Sequence, residues 1–301
     1  MFGIIYTIAM LIVLPAVFIS VLWKAAFKTK LEWMLDALTT AVLLVWLFQA
    51  GNWSWVGYYF RYLWLVLFIV AFFISVKKVR DLPFRMKYTK NQKSTIGIYV
   101  LLLVVFGAYN AFVFPSYSVN EEAINLTFPM KQGTYYVGQG GNSVQMNYHH
   151  AYESQQYALD VLKLNKLGIR ANGLYPEELT KYAIFGDDLY SPCNGKVIEA
   201  RNDLPDLNPP ESNPENPEGN YVALICEQHE AMIYIAHMQE GSVAVTEGDE
   251  VKTGRLLGRI GNSGNTTEPH LHIHAELDGV GVPIVFEYRF LTRNSLMRTG
   301  K

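Results

Sequence analysis

The stretch "PHLHIHAEL" near the C-terminus places histidines at every second residue: His270, His272 and His274. Alternate residues of a β-strand point to one face, so this spacing predicts a strand with three imidazoles on one side. The first and last would lie about 13 Å apart, at ~3.3 Å per residue. Because a zinc–imidazole bond is only ~2.0–2.1 Å long, one ion cannot comfortably bind all three. A neighbouring pair can surround one ion, and the remaining ligands must come from other segments.

Two other segments offer such groups. "NYHHAYESQQYALDVL" contains His149, His150 and Asp160, and "YIAHMQEGS" places His237 at the end of an apolar run. A carboxylate on an otherwise apolar strand is costly to bury without a partner. A single histidine that ends a strand is more often structural, but six of the seven histidines fall in these three segments. Their clustering favours a common site.

The three segments resemble the lysostaphin-like, LytM-type zinc metallopeptidases, which cut peptide cross-links in bacterial peptidoglycan. The resemblance covers roughly residues 130–285. It is carried by "HLH", the upstream His…Asp pair, the "YxAH"-like strand and, in matching order, the framework "SPCNGKVIEA", "GNYVALI" and "VTEGDEVKTGRLLGRIGNSGNTTEPHLHIHAE". It implies a β fold of this family, a bound zinc ion and hydrolysis of peptide bonds.

The resemblance implies a zinc ligand set in this chain. Asp160 and His272 match two of the family's ligands, and the third is His149 or His150. The family's common spacing is His-x-x-x-Asp, whereas these two histidines precede the aspartate by eleven and ten residues. The ligand must therefore come across a loop. His149 is preferred, because "NYH" resembles the form found in relatives with this longer spacing.

The resemblance also implies two catalytic residues. His270 corresponds to a histidine beside the water that the metal activates, and His237 to its partner on a neighbouring strand. Two imidazoles and one carboxylate leave a fourth zinc position open, which is the catalytic arrangement. Zinc can lower the pKa of a bound water from 15.7 to about 7. The two histidines could then move protons and stabilise the developing oxyanion, with His274 further along the strand as a supporting residue or groove wall.

The elements around these residues read as short strands and Gly-rich turns. Alternating or β-branched runs such as "GKVIEA" and "NYVALIC" are separated by turn residues such as "EGDEVKTG" and "GNSGN". Only "PEELTKYAI", with proline in the first turn, predicts a helix. The acidic segment "RNDLPDLNPPESNPENPEGN" has five prolines within 205–217, which prevent regular pairing. It is interpreted either as a surface insertion or as a mobile rim beside a groove.

Composition changes along the chain. Residues 1–115 carry eleven Lys or Arg and three acidic residues, whereas residues 116–301 carry a formal charge of −10 and all seven histidines. Four apolar stretches, each long enough to cross a hydrocarbon core of ~30 Å, lie at about 4–23, 33–50, 56–76 and 94–115. The sequence therefore predicts a transmembrane region over 1–115, followed by a mainly antiparallel β metallopeptidase domain over 116–301.

Orientation follows from the connecting loops. The first contains Lys24, Lys28 and Lys30, the third has seven basic residues over 77–93, and the second, around "GNWSW", has none. Short basic loops stay cytoplasmic. We therefore expect a multi-pass protein of the cytoplasmic membrane, with its N-terminus and its β domain on the extracytoplasmic side. A cleaved signal peptide is not expected, because the basic flank follows the first apolar run.

The two cysteines, Cys193 and Cys226, lie in this exported part, where a disulfide is permitted. Each ends a predicted strand, and the sequence leaves a disulfide and two buried thiols equally open. A zinc role is disfavoured, because the chain has no Cys-x-x-Cys spacing.

Other functional classes fit part of the pattern. A relative of such peptidases could bind zinc without catalysis and activate other wall hydrolases, although every expected site position is filled here. A lipoyl- or biotinyl-like carrier would fit residues 245–264, with Lys252 as the attachment site, but leaves Asp160 and the histidines unexplained. The acidic charge argues against nucleic acid as a partner. Four spans exceed what an anchor needs, which leaves room for a membrane protein partner.

Overall fold

The computed structural model describes residues 2–300 and divides after Phe114 into two compact units. The first unit is helical and the second is built almost entirely of strands. The helices are α1 (Phe2–Ile8), α2 (Leu14–Lys24), α3 (Lys30–Ala50), α4 (Phe60–Val79) and α5 (Lys90–Val113), with a π-helical segment (Ala9–Val13) joining the first two.

Local sequence fixes where two of these helices begin. Thr29 precedes α3 and accepts the backbone N–H of Glu32, whose side chain accepts the threonine N–H in return. Thr89 and Gln92 form the same capping box at α5. Four helices, Gly3–Lys24, Lys30–Ala50, Phe60–Val79 and Lys90–Tyr117, are long and apolar enough to cross a membrane. The four predicted apolar helices are therefore confirmed.

The second unit contains fourteen strands among the described residues. They are β1 (Ile124–Leu126), β2 (Gly133–Gln139), β3 (Leu159–Leu164), β4 (Asp188–Tyr190), β5 (Gly195–Arg201), β6 (Asn220–Cys226), β7 (Met232–Met238), β8 (Glu250–Val251), β9 (Leu256–Arg259), β10 (Leu271–Leu277), β11 (Val280–Val282), β12 (Ile284–Phe286), β13 (Arg289–Phe290) and β14 (Leu296–Thr299).

One antiparallel sheet dominates this unit. Its strand order is β14-β2-β3-β10-β7-β6-β5-β8, and β11 pairs with β10 at one end. Smaller sheets join β1, β12 and β13, and β4 with β9; the β1–β12 pair is parallel. The prediction of a mainly antiparallel β domain after the apolar helices is therefore confirmed.

The side chains of β10 alternate between the hydrophobic core and the opposite face of the sheet. Leu271 and Ile273 are fully buried in the hydrophobic core, together with Val161 of β3 and Ile235 of β7. Each such buried aliphatic side chain contributes roughly 1.5–3 kcal/mol relative to an exposed one. Because side chains alternate along a strand, the histidines between these core residues point to the opposite face of the sheet.

The predicted helix at "PEELTKYAI" is wrong. Only a single 3₁₀ turn forms there, Leu179–Lys181. The following residues pair instead: Tyr182 bridges Ala171, and the N–H of Ala183 donates to the carbonyl of Arg170. Tyr182 and Ile184 are buried, so burial at every second residue overrides the helical propensity of the segment.

Backbone hydrogen bonds connect the proline-rich segment to the rest of the β unit. The N–H of Leu207 donates to Asn262, and the N–H of Asn213 donates to Gly264. The N–H of Asn265 donates back to Pro217. These bonds tie the segment to the turn that precedes β10. Elsewhere in the unit, Cys193 and Cys226 form a disulfide.

Candidate metal centre

Three side chains converge on the histidine-bearing face of the sheet. Asp160 on β3 lies opposite His272 on β10 in the strand register. Oδ1 of Asp160 is 3.0 Å from Nδ1 of His272 and 3.0 Å from Nε2 of His149. All three residues are buried, and their ligand atoms lie within 4.8 Å of one another. The structure thus brings together residues that are up to 123 positions apart, because two adjacent strands and one loop meet here.

His149 reaches this position through a short loop held by Asn147. Asn147 caps the 3₁₀ turn Tyr148–Ala151, its Oδ1 accepting the N–H of His149 at 3.3 Å. Its Nδ2 donates to the carbonyl of Ala158 at 3.0 Å, at the start of β3. The asparagine is fully buried. It therefore connects the histidine directly to the strand that carries Asp160, which explains how the long spacing is accommodated.

His150, the alternative ligand, lies elsewhere. Its Nδ1 is 3.2 Å from the carbonyl of Gln156, and its ring packs edge-on to Tyr157. Of the two neighbouring histidines, the loop therefore brings His149 to Asp160.

His270 and His237 flank the convergent group. Nε2 of His270 is 3.4 Å from Oδ1 of Asp160, and the ring centroids of the two histidines are 4.9 Å apart. Nδ1–H of His270 donates to the carbonyl of Glu268 at 2.8 Å, and Nδ1–H of His237 donates to the carbonyl of Ser263 at 2.9 Å. When either ring is neutral, these bonds place its lone pair on Nε2. Burial lowers the pKa of His270, but the Asp160 carboxylate beside its Nε2 outweighs burial and raises that pKa above its usual value. His237, His270 and His272 form a second group with the spacing of metal ligands.

His274 supports His272 from the next position on the same face. The distance between Nε2 of His272 and Nδ1 of His274 is 3.0 Å, and the His274 ring stacks on Tyr234 at 4.8 Å. If the His272 Nε2–H donates this bond, its Nδ1 keeps the lone pair that faces Asp160. Partners of this kind fix the tautomer and ring orientation of metal-binding histidines.

The protonation states of the group suit a metal ion. Burial raises the pKa of Asp160, but the facing imidazoles of His149 and His270 outweigh it and hold the pKa well below its usual value. Burial lowers the pKa of His272 to about 4, and it also lowers the pKa of His237 well below its ordinary value. An ionised carboxylate and neutral imidazoles are the forms that coordinate metals.

Donor type and spacing fit zinc. Two imidazoles and one carboxylate form a common catalytic zinc set. Ligand atoms bound at ~2.0–2.1 Å in a tetrahedron lie roughly 3.3 Å apart, and Asp160 Oδ1 is 3.0 Å from each imidazole nitrogen. The Asp160 carboxylate is buried among imidazoles, and no Lys or Arg among the described residues forms an ion pair with it. A bound cation would stabilise this buried negative charge.

A groove of about 290 Å³ opens over this group. It is lined by Tyr148, Tyr152, Pro217, Glu218 and Asn265, together with His149, His237 and His272. Pro217 and Glu218 belong to the proline-rich segment that one interpretation of the sequence placed beside a groove. The sequence reasoning missed Tyr148, Tyr152 and Asn265, because nothing in their local pattern distinguishes them from turn residues. Asn147 was missed for the same reason, although its position two residues before a candidate ligand was a usable signal.

The family comparison gives a match over part of the chain. Residues 180–283 match the model of Peptidase family M23. This range contains His237, His270 and His272, and it includes the hairpin that was considered as a carrier domain. His149 and Asp160 lie before it. No curated protein sequence matches the chain.

Solved structures with similarity to the chain include several peptidases. One is a Pseudomonas aeruginosa structure assigned to peptidase M23, with 15% identity, a TM-score of 0.31, and coverage of 67% of this chain and 62% of that one. Another is the catalytic domain of the antimicrobial peptidase lysostaphin from Staphylococcus simulans, with 25% identity, a TM-score of 0.23, and coverage of 34% and 72%. A zinc-containing peptidase from Vibrio cholerae has 19% identity, a TM-score of 0.26, and coverage of 42% and 48%.

The chain thus spans less than two thirds of the Pseudomonas and Vibrio proteins. The match over residues 180–283 contains the histidine strand and the strand that carries His237. The β unit of this chain therefore contains a region, residues 180–283, that matches Peptidase family M23.

Proposed function

We propose that this chain is a membrane-anchored zinc metalloendopeptidase that hydrolyses peptide cross-links of bacterial peptidoglycan. One observation carries the proposal: His149, Asp160 and His272 converge with zinc-like spacing, beside two histidines whose Nδ1–H groups donate to backbone carbonyls. The M23 match supports a peptidase that acts on peptides. Peptidoglycan as the substrate rests on the LytM-type resemblance alone.

The residues of the site would have two roles, as metal ligands and as proton-transfer residues. His149, Asp160 and His272 would hold the zinc ion. When bound, zinc supplies a Lewis acid that lowers the pKa of a water molecule and polarises the scissile carbonyl. Nε2 of His270, 3.4 Å from the Asp160 carboxylate, is placed to take a proton from the water and to pass it to the leaving amine.

His237 would act beside His270, since the centroids of the two rings are 4.9 Å apart. Its neutral Nε2 would accept a hydrogen bond from the water and so orient it toward the scissile carbonyl. The bond from Nδ1 to Ser263 keeps the ring in this orientation. The open groove lined by Tyr148 and Glu218 would admit an extended peptide.

The apolar helices would place this site at the cell wall. The basic loops at Lys24–Lys30 and 77–93 support a cytoplasmic location for both. The β unit would then lie outside the cytoplasmic membrane, within reach of the wall peptides. The proposal also includes a membrane protein partner, because one apolar helix would be enough for an anchor and this chain has four.

The test uses the full-length chain purified in detergent. Zinc per chain is measured by mass spectrometry, and hydrolysis of purified peptidoglycan is measured by the release of new amino termini. We expect about one zinc in the wild type, loss of zinc and activity in Asp160→Ala, and a rate lower by ~10²–10⁴-fold with retained zinc in His270→Ala. His229→Ala, in an unrelated turn, is the matched control.

Two results would change the proposal. Stoichiometric zinc without hydrolysis of any wall peptide would favour the alternative, a zinc-binding regulator of other wall hydrolases. Full activity in His270→Ala would remove that histidine from the reaction.

A further inference from the structure

His237 has an unusual backbone. Its φ is +60°, in the left-handed region that residues with a side chain rarely adopt. It lies next to the last residue of β7, so the chain leaves the strand in a sharp turn at this histidine. A conformation of this kind persists only where surrounding bonds enforce it, and such residues cluster at functional sites.

Three hydrogen bonds enforce the conformation of His237. Its N–H donates to the carbonyl of Glu218 at 2.9 Å, and its carbonyl accepts the N–H of Gly261 at 3.0 Å. Its Nδ1–H donates to the carbonyl of Ser263 at 2.9 Å. The partners come from two turns, 217–219 and 261–264. The position of the imidazole therefore depends on how these turns are held.

The two turns are locked against each other. The N–H of Asn220 donates to Oγ of Ser263 at 2.9 Å, and that hydroxyl donates to the carbonyl of Met238 at 2.7 Å. Gly219 has a positive φ, and a Cβ there would lie 2.3 Å from the Ser263 carbonyl oxygen. The contact is backbone against backbone, with no flexible side chain to give way.

Asp206 fastens this arrangement from the proline-rich segment. Its Oδ1 accepts the N–H of Asn262 at 2.6 Å, and its Oδ2 accepts the N–H of Glu240 at 3.2 Å. Asn262 is also bound through its Nδ2 to the carbonyl of Leu207 at 2.6 Å. A Cβ at Gly261 would lie 2.3 Å from Asp206 Oδ1, so the glycine makes room for the carboxylate. The Asp206 side chain thus links the residues that follow His237 to turn 261–264, whose Ser263 carbonyl accepts the imidazole N–H.

We propose that Asp206 is a positioning residue for His237 and that the acidic, proline-rich segment 202–218 is a strap that holds this histidine in its left-handed conformation. The inference rests on the proposed catalytic role of His237. It assigns to the segment a function that its composition alone does not indicate, since acidic proline-rich segments are usually solvated.

The experiment compares Asp206→Ala with Asp206→Asn in the full-length chain. Asparagine keeps an oxygen for the N–H of Asn262, but its NH₂ group cannot accept from Glu240. Asp203→Ala is the matched control, because this aspartate lies in the same segment, is exposed, and pairs only with Arg201 among the described contacts. We expect kcat on wall peptide to fall at least tenfold in the alanine variant and less in the asparagine variant. Zinc content should stay unchanged in all three.

A double variant separates positioning from general destabilisation. In a His237→Ala background, Asp206→Ala should change kcat by less than about twofold, because the group that it positions is absent. An equal loss in both backgrounds, loss of zinc, or an Asp206→Ala variant with wild-type kcat would overturn the proposal.

Hydrogen–deuterium exchange tests the strap without activity. Asp206→Ala should raise exchange at the amides of His237 and Gly261, while amides of the core strand β10 keep wild-type protection. Unchanged exchange at His237 and Gly261 would overturn the strap. A wild-type protein with no hydrolysis would count against the proposed function alone, since the exchange result still decides on the strap.

Discussion

Asp160 and His272 face each other across two adjacent antiparallel strands, although 112 residues separate them in sequence. Oδ1 of the aspartate is 3.0 Å from Nδ1 of the histidine. Their neighbours Val161 and Leu271 are also opposed and are fully buried. A slip of one residue would turn His272 into the core, so the apolar pattern of both strands fixes the pair of polar side chains.

Asp160→Asn tests this pair as a metal site. The substitution keeps the shape of the side chain but removes its charge, and we expect zinc to fall from about one per chain to near zero. Metal analysis of the full-length protein checks it. Asp188→Asn is the control, since that aspartate is exposed and pairs with Arg259. Stoichiometric zinc in Asp160→Asn would contradict a carboxylate ligand.

Strand periodicity made much of this site predictable. The alternation of His270, Leu271 and His272 indicated a shared polar face, and the apolar run around Asp160 indicated a strand whose carboxylate needs a partner. That Asp160 and His272 belong to one site was implied by the family resemblance. The choice between His149 and His150 could not be made from periodicity, because it depends on hydrogen bonds within an irregular loop. The helix expected at "PEELTKYAI" failed for a related reason, since tertiary pairing of Tyr182 outweighed local propensity.

Asn147→Ala tests the loop that brings His149 to the site. The side chain holds both the N–H of His149 and the carbonyl of Ala158, and its loss frees the loop from β3. We expect zinc affinity to fall ~10–100-fold, as for other supporting residues of metal sites. Competition with a zinc chelator measures this. The control is Asn142→Ala, whose Nδ2 donates to the Ser118 carbonyl in an exposed bond. Equal affinities in the two variants would argue against the role of Asn147.

His274→Phe tests the support of His272. Phenylalanine can keep the stacking on Tyr234 but offers no acceptor to Nε2–H of His272. We expect a ~10–100-fold lower zinc affinity, and recovery to within a few-fold in His274→Gln, whose carbonyl oxygen can accept that bond. Tyr234→Phe should leave affinity unchanged. If the phenylalanine variant binds zinc like the wild type, the contact is packing only.

Arg170→Met tests the buried ion pair beneath His270. Nε of Arg170 lies 2.6 Å from Oε2 of Glu268, and the arginine side chain is 1% exposed. The carbonyl of the same glutamate accepts Nδ1–H of His270. Removing the arginine leaves a largely buried carboxylate without its ion-pair partner, which should cost ~3–5 kcal/mol in the free energy of unfolding. Denaturant unfolding of the β unit, followed in the full-length chain, measures the loss.

Lys181→Met should cost at most ~1 kcal/mol, because its pair with Glu178 is exposed. The double variant Arg170→Met/Glu268→Gln should recover part of the stability, since no charge is then buried alone; a double variant as unstable as Arg170→Met would show that the loss comes from packing and not from the unpaired carboxylate.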